Sequence, residues 1–185
     1  VPVDGWRRDI PFAETGPPRI RPSPNMPDVE SATHYPGPCP FEGTVLSVAR
    51  GTETPPQQIG APWLDGAALA DAMNGYGLPG VLFEPVSFAP SAPSDGKFGG
   101  VEVEGVRLVA TSPEYDPTHA AVALLVETRR MSGPQWGWLQ AHFDRLAGTD
   151  RLRQAIYAGA GLEEIRSGRQ DELEAFKRVR KQYLI

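Results

Sequence analysis

"GGVEVEGVRLVATSPEYDPTHAAVALLVETRRM", Gly99 to Met131, contains the point at which the chain changes its structural period. From Val101 onward apolar and polar residues alternate, the two-residue period of a strand with one buried face. Gly105 interrupts that alternation and predicts a bulge or bend. Asp116 and Pro117 then form a helix cap and first-turn pair, and the following residues carry a broad apolar stripe, which predicts a helix over about 117–131.

Toward the C-terminus, "WGWLQAHFDRLAG", "TDRLRQAIYAG" and "RQDELEAFKRVRKQYLI" read as three more helical pieces. Thr149 is the expected cap and Gly159 the stop of the middle one, and Leu173, Phe176, Tyr183 and Leu184 share one side of the last. Toward the N-terminus, "GVLFEPVSFAP" (80–90) predicts a strand broken at Pro85. "GAPWLDGAALADAMNGYG" (60–77) predicts a short helix over about 66–75, capped by Asp65 and stopped by glycine. "GTVLSVARGT" (43–52) predicts a strand of about six residues around Val45, Leu46 and Val48. Most of the 20 prolines precede residue 65, so Ile10 to Pro40 is expected to be an extended or polyproline-like arm. Val1 and Val3 read as part of a short apolar strand. Strands precede helices, which makes the class α+β: a small mixed sheet, C-terminal helices and a proline-rich N-terminal arm.

The chain has 185 residues, 40% of them hydrophobic, enough for one core and too few for two full-sized domains. Its net charge of −5 provides no positive field for phosphates, which argues against nucleic acid as a partner. The longest apolar run, Ala120 to Val126, is far short of the roughly 20 residues of a membrane span. Cys39 is the only cysteine, so neither an intrachain disulfide nor a thiolate cluster can form.

Few motifs carry chemistry. "GYGLPG" (75–80) matches a dinucleotide fingerprint by letter, but it follows a helix and precedes a strand, the reverse of what a phosphate-cradling turn requires, so it reads as a structural turn. His34, His119 and His142 have no metal-ligand spacing, and neither a metal nor any other cofactor is expected. Thr44 and Ser47 lack the strand-to-helix elbow that exposes a nucleophile. Lys177 to Lys181, "KRVRK", reads as a solvated helix face. Glu102 and Glu104 fall on one strand face, where they suit acid–base work or simply face solvent. In "PCPFEGTVLSVARGT" (38–52), Glu42 lies beside an aromatic ring and a glycine, and Arg50 precedes a glycine turn. Residue chemistry alone leaves two readings open: a substrate-facing acid and base, or a strand-edge acid with an exposed arginine.

A resemblance narrows the choice. "VPVDGWRRDIPFAETG", "PSPNMPDVESATHYPGPCPFEGTVLSVARGT", "IGAPWLD", "LPGVLFEPVSFAP" and "FDRLAGTDRLRQAIYAGAGLEEI" resemble, in order, the C-terminal portion of the exo-β-N-acetylmuramidase family known as NamZ, over nearly the whole chain. The resemblance implies a domain that follows a Rossmann-like N-terminal domain carrying the main acidic motif, with the active site in the cleft between them. Residues 1–20 would be linker or the end of that first domain, and 21–185 the C-terminal domain, inactive by itself. It further implies removal of terminal N-acetylmuramic acid from peptidoglycan fragments, muramic-acid saccharides as ligands, and an extracytoplasmic location. Glu42 would be the cleft acid or a hydrogen-bond partner of sugar hydroxyls. Arg50 would pair with the lactyl carboxylate, as a planar guanidinium suits a planar anion. Asn25, His34, Tyr35, Thr44 and Trp63 are the further substrate-facing candidates, Trp63 through stacking. Where the family run has Asn, Glu and Gly, this chain has Val45, Val48 and Ala49. A non-catalytic carbohydrate-binding or interaction module is the alternative that those losses suggest.

Overall fold

The computed structural model describes residues 4–184. Its helices and strands, in chain order, are α1 (Val29–His34), β1 (Gln58–Ala61), α2 (Gly66–Gly75), β2 (Val81–Phe88), β3 (Val103–Ala110), α3 (Pro117–Ser132), α4 (Gln140–Ala147), α5 (Arg151–Tyr157), α6 (Leu162–Ser167) and α7 (Gln170–Lys181). The class is α+β, and the three-stranded sheet, order β1-β3-β2, is antiparallel throughout. The strand expected at Val1 and Val3 lies outside the described residues.

Both well-signalled helices form where their caps place them. The Asp65 carboxylate accepts the Ala68 N–H at 2.9 Å, and the Asp116 carboxylate accepts the N–H groups of Thr118 and His119. Leu69, Ala70 and Met73 of α2 turn inward against β2, β3 and α3, joining Val106, Leu108 and the buried side of α3 in one core. "GYGLPG" forms the turn from α2 into β2, with Gly77 and Gly80 at positive φ.

Four expectations need correction. The 43–52 stretch is not a strand: Ser47 and Gly60 exchange two backbone hydrogen bonds as an isolated bridge, after which Ala49, at φ +56°, takes the chain out of strand geometry. Pro85 does not break β2, which runs unbroken at the sheet edge. The Phe83 N–H points away from β3 to the Asn74 side chain, and by the two-residue alternation the missing N–H of Pro85 falls on that same outer side, so no ladder bond is lost. Gly105 is no bulge; it stays in register opposite Gly60 and Val86. The arm from Ile10 to Pro40 is not wholly extended, since it contains α1, capped by Asp28 through the Ser31 N–H at 2.7 Å. Two elements, β1 and α6, have no counterpart in the sequence reading.

Beyond α3, the helices pack more thinly than α3 does. Phe143 of α4, Ile156 of α5 and Ile165 of α6 reach the core, whereas α7 buries no side chain and its basic run is solvated.

Candidate functional site

The segment that carries Glu42 and Arg50 is held from below. Residues Cys39–Gly43 form a tight 3₁₀ turn whose Phe41 is fully buried. Gly43 leaves no room for a side chain, because a Cβ there would stand 2.4 Å from Phe143 Cα, and so the turn lies directly on α4. The Thr44 hydroxyl donates to the Phe41 carbonyl at 2.8 Å and accepts the Leu46 N–H at 3.1 Å, fixing the exit from the turn. Leu46 and Val48 point into the core, and Arg50 returns to the surface beside Glu42. Arg50 Nη2 donates to Glu42 Oε1 at 2.7 Å, with the two side chains 20% and 18% exposed.

A second loop, residues 91–100, closes on this pair. The Ser91 N–H donates to the Gly51 carbonyl at 2.8 Å, and Arg50 Nη1 donates to Ser94 Oγ at 3.2 Å. Lys97 reaches under the turn, where Nζ donates to the Leu46 carbonyl at 2.9 Å and the Glu42 carbonyl at 3.2 Å. Burial holds the Lys97 pKa below the ordinary lysine value, with Asp95 and Glu42 opposing that shift. Phe98, at φ +55°, meets the Trp63 ring edge-on at 5.7 Å, and Trp63 Nε1 donates to Ser132 Oγ at 3.1 Å. On the other flank, the Tyr35 hydroxyl is hydrogen bonded to Cys39, which together with burial pushes its pKa up to about 12. Burial likewise raises the Cys39 thiol, so Cys39 stays protonated and is not an activated nucleophile.

The structure therefore brings Glu42, Arg50 and Tyr35 into one neighbourhood and links Trp63 to it through the 91–100 loop. Thr44 and His34 have no exposed surface. His34 Nδ1 shares a 2.9 Å hydrogen bond with the Tyr115 hydroxyl, in a contact that ties α1 to the chain entering α3. Asn25 lies in a separate turn, residues 23–27, gripped by the Arg19 and Arg21 guanidinium groups. Val48 is core and half-buried Val45 packs on Gly137, so neither position faces the Glu42–Arg50 surface as a polar group. Sequence reading missed Ser94, Lys97 and Phe98. The signal available was the Asp95-Gly96 turn, which predicts a tight loop tip followed by a cation and an aromatic ring.

Glu42 and Arg50 line neither of two grooves formed by the C-terminal helices. A groove of about 660 Å³ runs among α3, α5, α6 and α7, and another of about 510 Å³ lies between α3, α6 and α7. Among the described residues, no helix is long and apolar enough to cross a membrane.

The chain is 34% identical, over 187 aligned residues, to the peptidoglycan beta-N-acetylmuramidase NamZ of Bacillus subtilis, covering 100% of this chain and 44% of that protein. Two crystal structures of DUF1343 family proteins from Bacteroides fragilis superpose on it. One has a TM-score of 0.85 at 26% identity, over 98% of this chain and 48% of that one; the other scores 0.63 at 27% identity, over 90% and 43%. The chain thus spans less than half the length of these relatives. Residues 33–185, which include the Glu42–Arg50 turn and the loop that closes on it, match the family described as exo-beta-N-acetylmuramidase NamZ, C-terminal, and the chain belongs to that family.

Proposed function

We propose that this chain forms one wall of the active-site cleft of an exo-β-N-acetylmuramidase, completed by a preceding Rossmann-like domain that carries the main catalytic acid. In this reading residues 1–20 lead out of that domain, the substrate is a peptidoglycan fragment ending in N-acetylmuramic acid, and the reaction takes place outside the cytoplasm. The observation that carries it is the Glu42–Arg50 pair, which sits on the surface within the family-matched segment and is gripped from both sides. Glycoside hydrolysis places two carboxyl groups about the scissile bond, and this wall contributes at most one of them. Glu42 Oε1 is engaged by Arg50; Oε2 makes no hydrogen bond among the described residues and is free to accept one from a sugar hydroxyl. Each terminal nitrogen of Arg50 keeps a second N–H after bonding Glu42 and Ser94, enough for the lactyl carboxylate.

The test uses the complete protein. Glu42→Gln is expected to lower turnover of a muraminide about tenfold or more without unfolding the protein. Arg50→Ala is expected to cost more on muraminides than on glucosaminides, which lack the lactyl acid. Wild-type rates for Glu42→Gln, or equal losses for Arg50→Ala on both substrates, contradict the respective role.

The apolar character of positions 45 and 48 favours a second reading, a non-catalytic saccharide-binding module. Titrating the chain with muramic-acid saccharides and then adding the preceding domain separates the two. Saccharide binding without restored hydrolysis supports the module.

A further inference from the structure

Lys97 lies 55 residues from Glu42 in sequence, yet its ammonium is inserted between the carbonyls at the two ends of the Glu42–Leu46 turn. Its side chain is 13% exposed, so this cation has been largely withdrawn from water for contacts with neutral acceptors. Such an arrangement carries a desolvation cost that hydrogen bonds to two neutral carbonyls offset only in part. Asp95 Oδ2, at 4.0 Å, is too far for a hydrogen bond and offsets the charge only partly. The neighbouring residues repeat the pattern. Ser94 accepts from Arg50, and Phe98 packs on Trp63, so one loop touches three of the candidates, Glu42, Arg50 and Trp63. Ala92 and Phe98, both at positive φ without being glycine, show that the loop is held in a shape its sequence does not favour.

We propose that Lys97 is the positioning residue of the site: by bonding the Glu42 and Leu46 carbonyls it fixes the turn that presents the Glu42 carboxylate to the substrate, and the Ser94–Phe98 loop sets the distance between that carboxylate and Trp63. The proposal rests on the reading of Glu42 as substrate-facing. Lys97 touches no reacting atom; it acts through the backbone that carries Glu42. The charged and titratable groups about its ammonium are Asp95, Glu42 and Arg50, and among the described residues no acid besides Asp95 stands at ion-pair distance.

The experiment measures kcat and KM of the complete protein on an aryl β-N-acetylmuraminide, with Glu42→Gln, Lys97→Met and Lys97→Arg made side by side and folding checked by circular dichroism. Lys97→Met is expected to lower kcat about tenfold or more with KM changed less than about threefold, because the binding groups remain and only the acid is displaced. Lys97→Arg is expected to recover at least part of that loss and to carry the alkaline limb of kcat/KM to higher pH, since guanidinium stays protonated where a buried ammonium does not. Normal kinetics in Lys97→Met beside an impaired Glu42→Gln overturns the positioning role alone. Normal kinetics in Glu42→Gln overturns the site reading and the proposal with it. Should Lys97→Met fail to fold, Lys97→Gln takes its place with the same expected loss of kcat at little-changed KM, and normal kinetics there beside an impaired Glu42→Gln overturns the proposal.

Discussion

Gly105 of β3 lies against Gly60 of β1 so closely that neither could carry a side chain. A Cβ on Gly105 would stand 2.0 Å from the Ile59 carbonyl oxygen, and one on Gly60 would stand 2.4 Å from that of Glu104. The first residue of α2, Gly66, presses onto the same spot, 2.6 Å from the Gly105 carbonyl oxygen to its own would-be Cβ. Three glycines thus let two strands and a helix meet backbone to backbone. Gly105→Ala is expected to destabilise the protein by about 3 kcal/mol or more, at the upper end of overpacking costs, because the atoms in the way are backbone. The urea midpoint measures it, and a shift worth less than about 1 kcal/mol would mean the strands separate easily.

The outer edge of β2 has a side chain for a partner. Asn74 Nδ2 donates to the Phe83 carbonyl at 2.8 Å, while its Oδ1 accepts the Phe83 N–H at 3.0 Å, as a neighbouring strand would. Asn74→Ala would leave both backbone groups without partners in a half-buried place. The expected loss is about 1–3 kcal/mol. Asn74→Asp keeps the acceptor but sets a carboxylate oxygen against the Phe83 carbonyl, and should lose at least as much as alanine in the same melt.

Acid stability is expected to depend on His34. Burial holds its pKa below the ordinary 6.5, with Glu30 and Asp28 pulling upward and Arg107 downward. As pH falls through 6.5 the unfolded chain takes up the proton first, so the native state loses stability from there down to the folded-state pKa and is level below it. Above 6.5 this residue adds no slope. Within the window the loss approaches about 1.4 kcal/mol per pH unit. Unfolding wild type and His34→Gln in urea at pH 7.5 and 5.5 tests this: the variant should lose less than wild type, and equal losses would show that His34 is not responsible.

How much of this was readable depends on the range of the interactions. Helices α2 and α3 were legible because the cap and the apolar stripe of each lie within one short segment: Asp65, Leu69 and Met73 in α2, with Gly75 as its stop, and Asp116 and Pro117 at the head of α3. β1 was not, because Gln58–Ala61 has almost no strand pattern of its own and is specified by pairing with β3, in particular by Gly60 opposite Gly105. Leu46 and Val48 misled for the converse reason: they are buried, yet on an irregular segment that Ala49 turns aside. At the site, Glu42 and Arg50 stood out because glycine and aromatic neighbours flank them in one short stretch and the family resemblance runs through it. Lys97 and Ser94 reach that turn only through tertiary folding, which no local pattern encodes.

Phe143 is expected to be the most sensitive position in the helical half. It is fully buried, its ring meets Trp138 edge-to-face at 4.6 Å, and its backbone supports Gly43 beneath the Glu42 turn. Phe143→Ala should cost about 3–5 kcal/mol. Phe143→Leu, which retains most of the volume, should cost less than half of that in thermal or urea unfolding.

Glu42 and Arg50 are expected to act as one unit. Arg50 orients the Glu42 carboxylate through Oε1, and Glu42 in turn holds the guanidinium in place for an incoming anion. Removing either therefore disorders the other, and the second removal finds little left to lose. Combining Glu42→Gln with Arg50→Ala in the complete protein should reduce kcat/KM by about fivefold or more less than the product of the two single losses, a coupling of roughly 1 kcal/mol. Losses that multiply would mean that the two groups meet the substrate independently. The 2.7 Å contact would then contribute only to the surface, where partly exposed ion pairs add about 0–1 kcal/mol of stability.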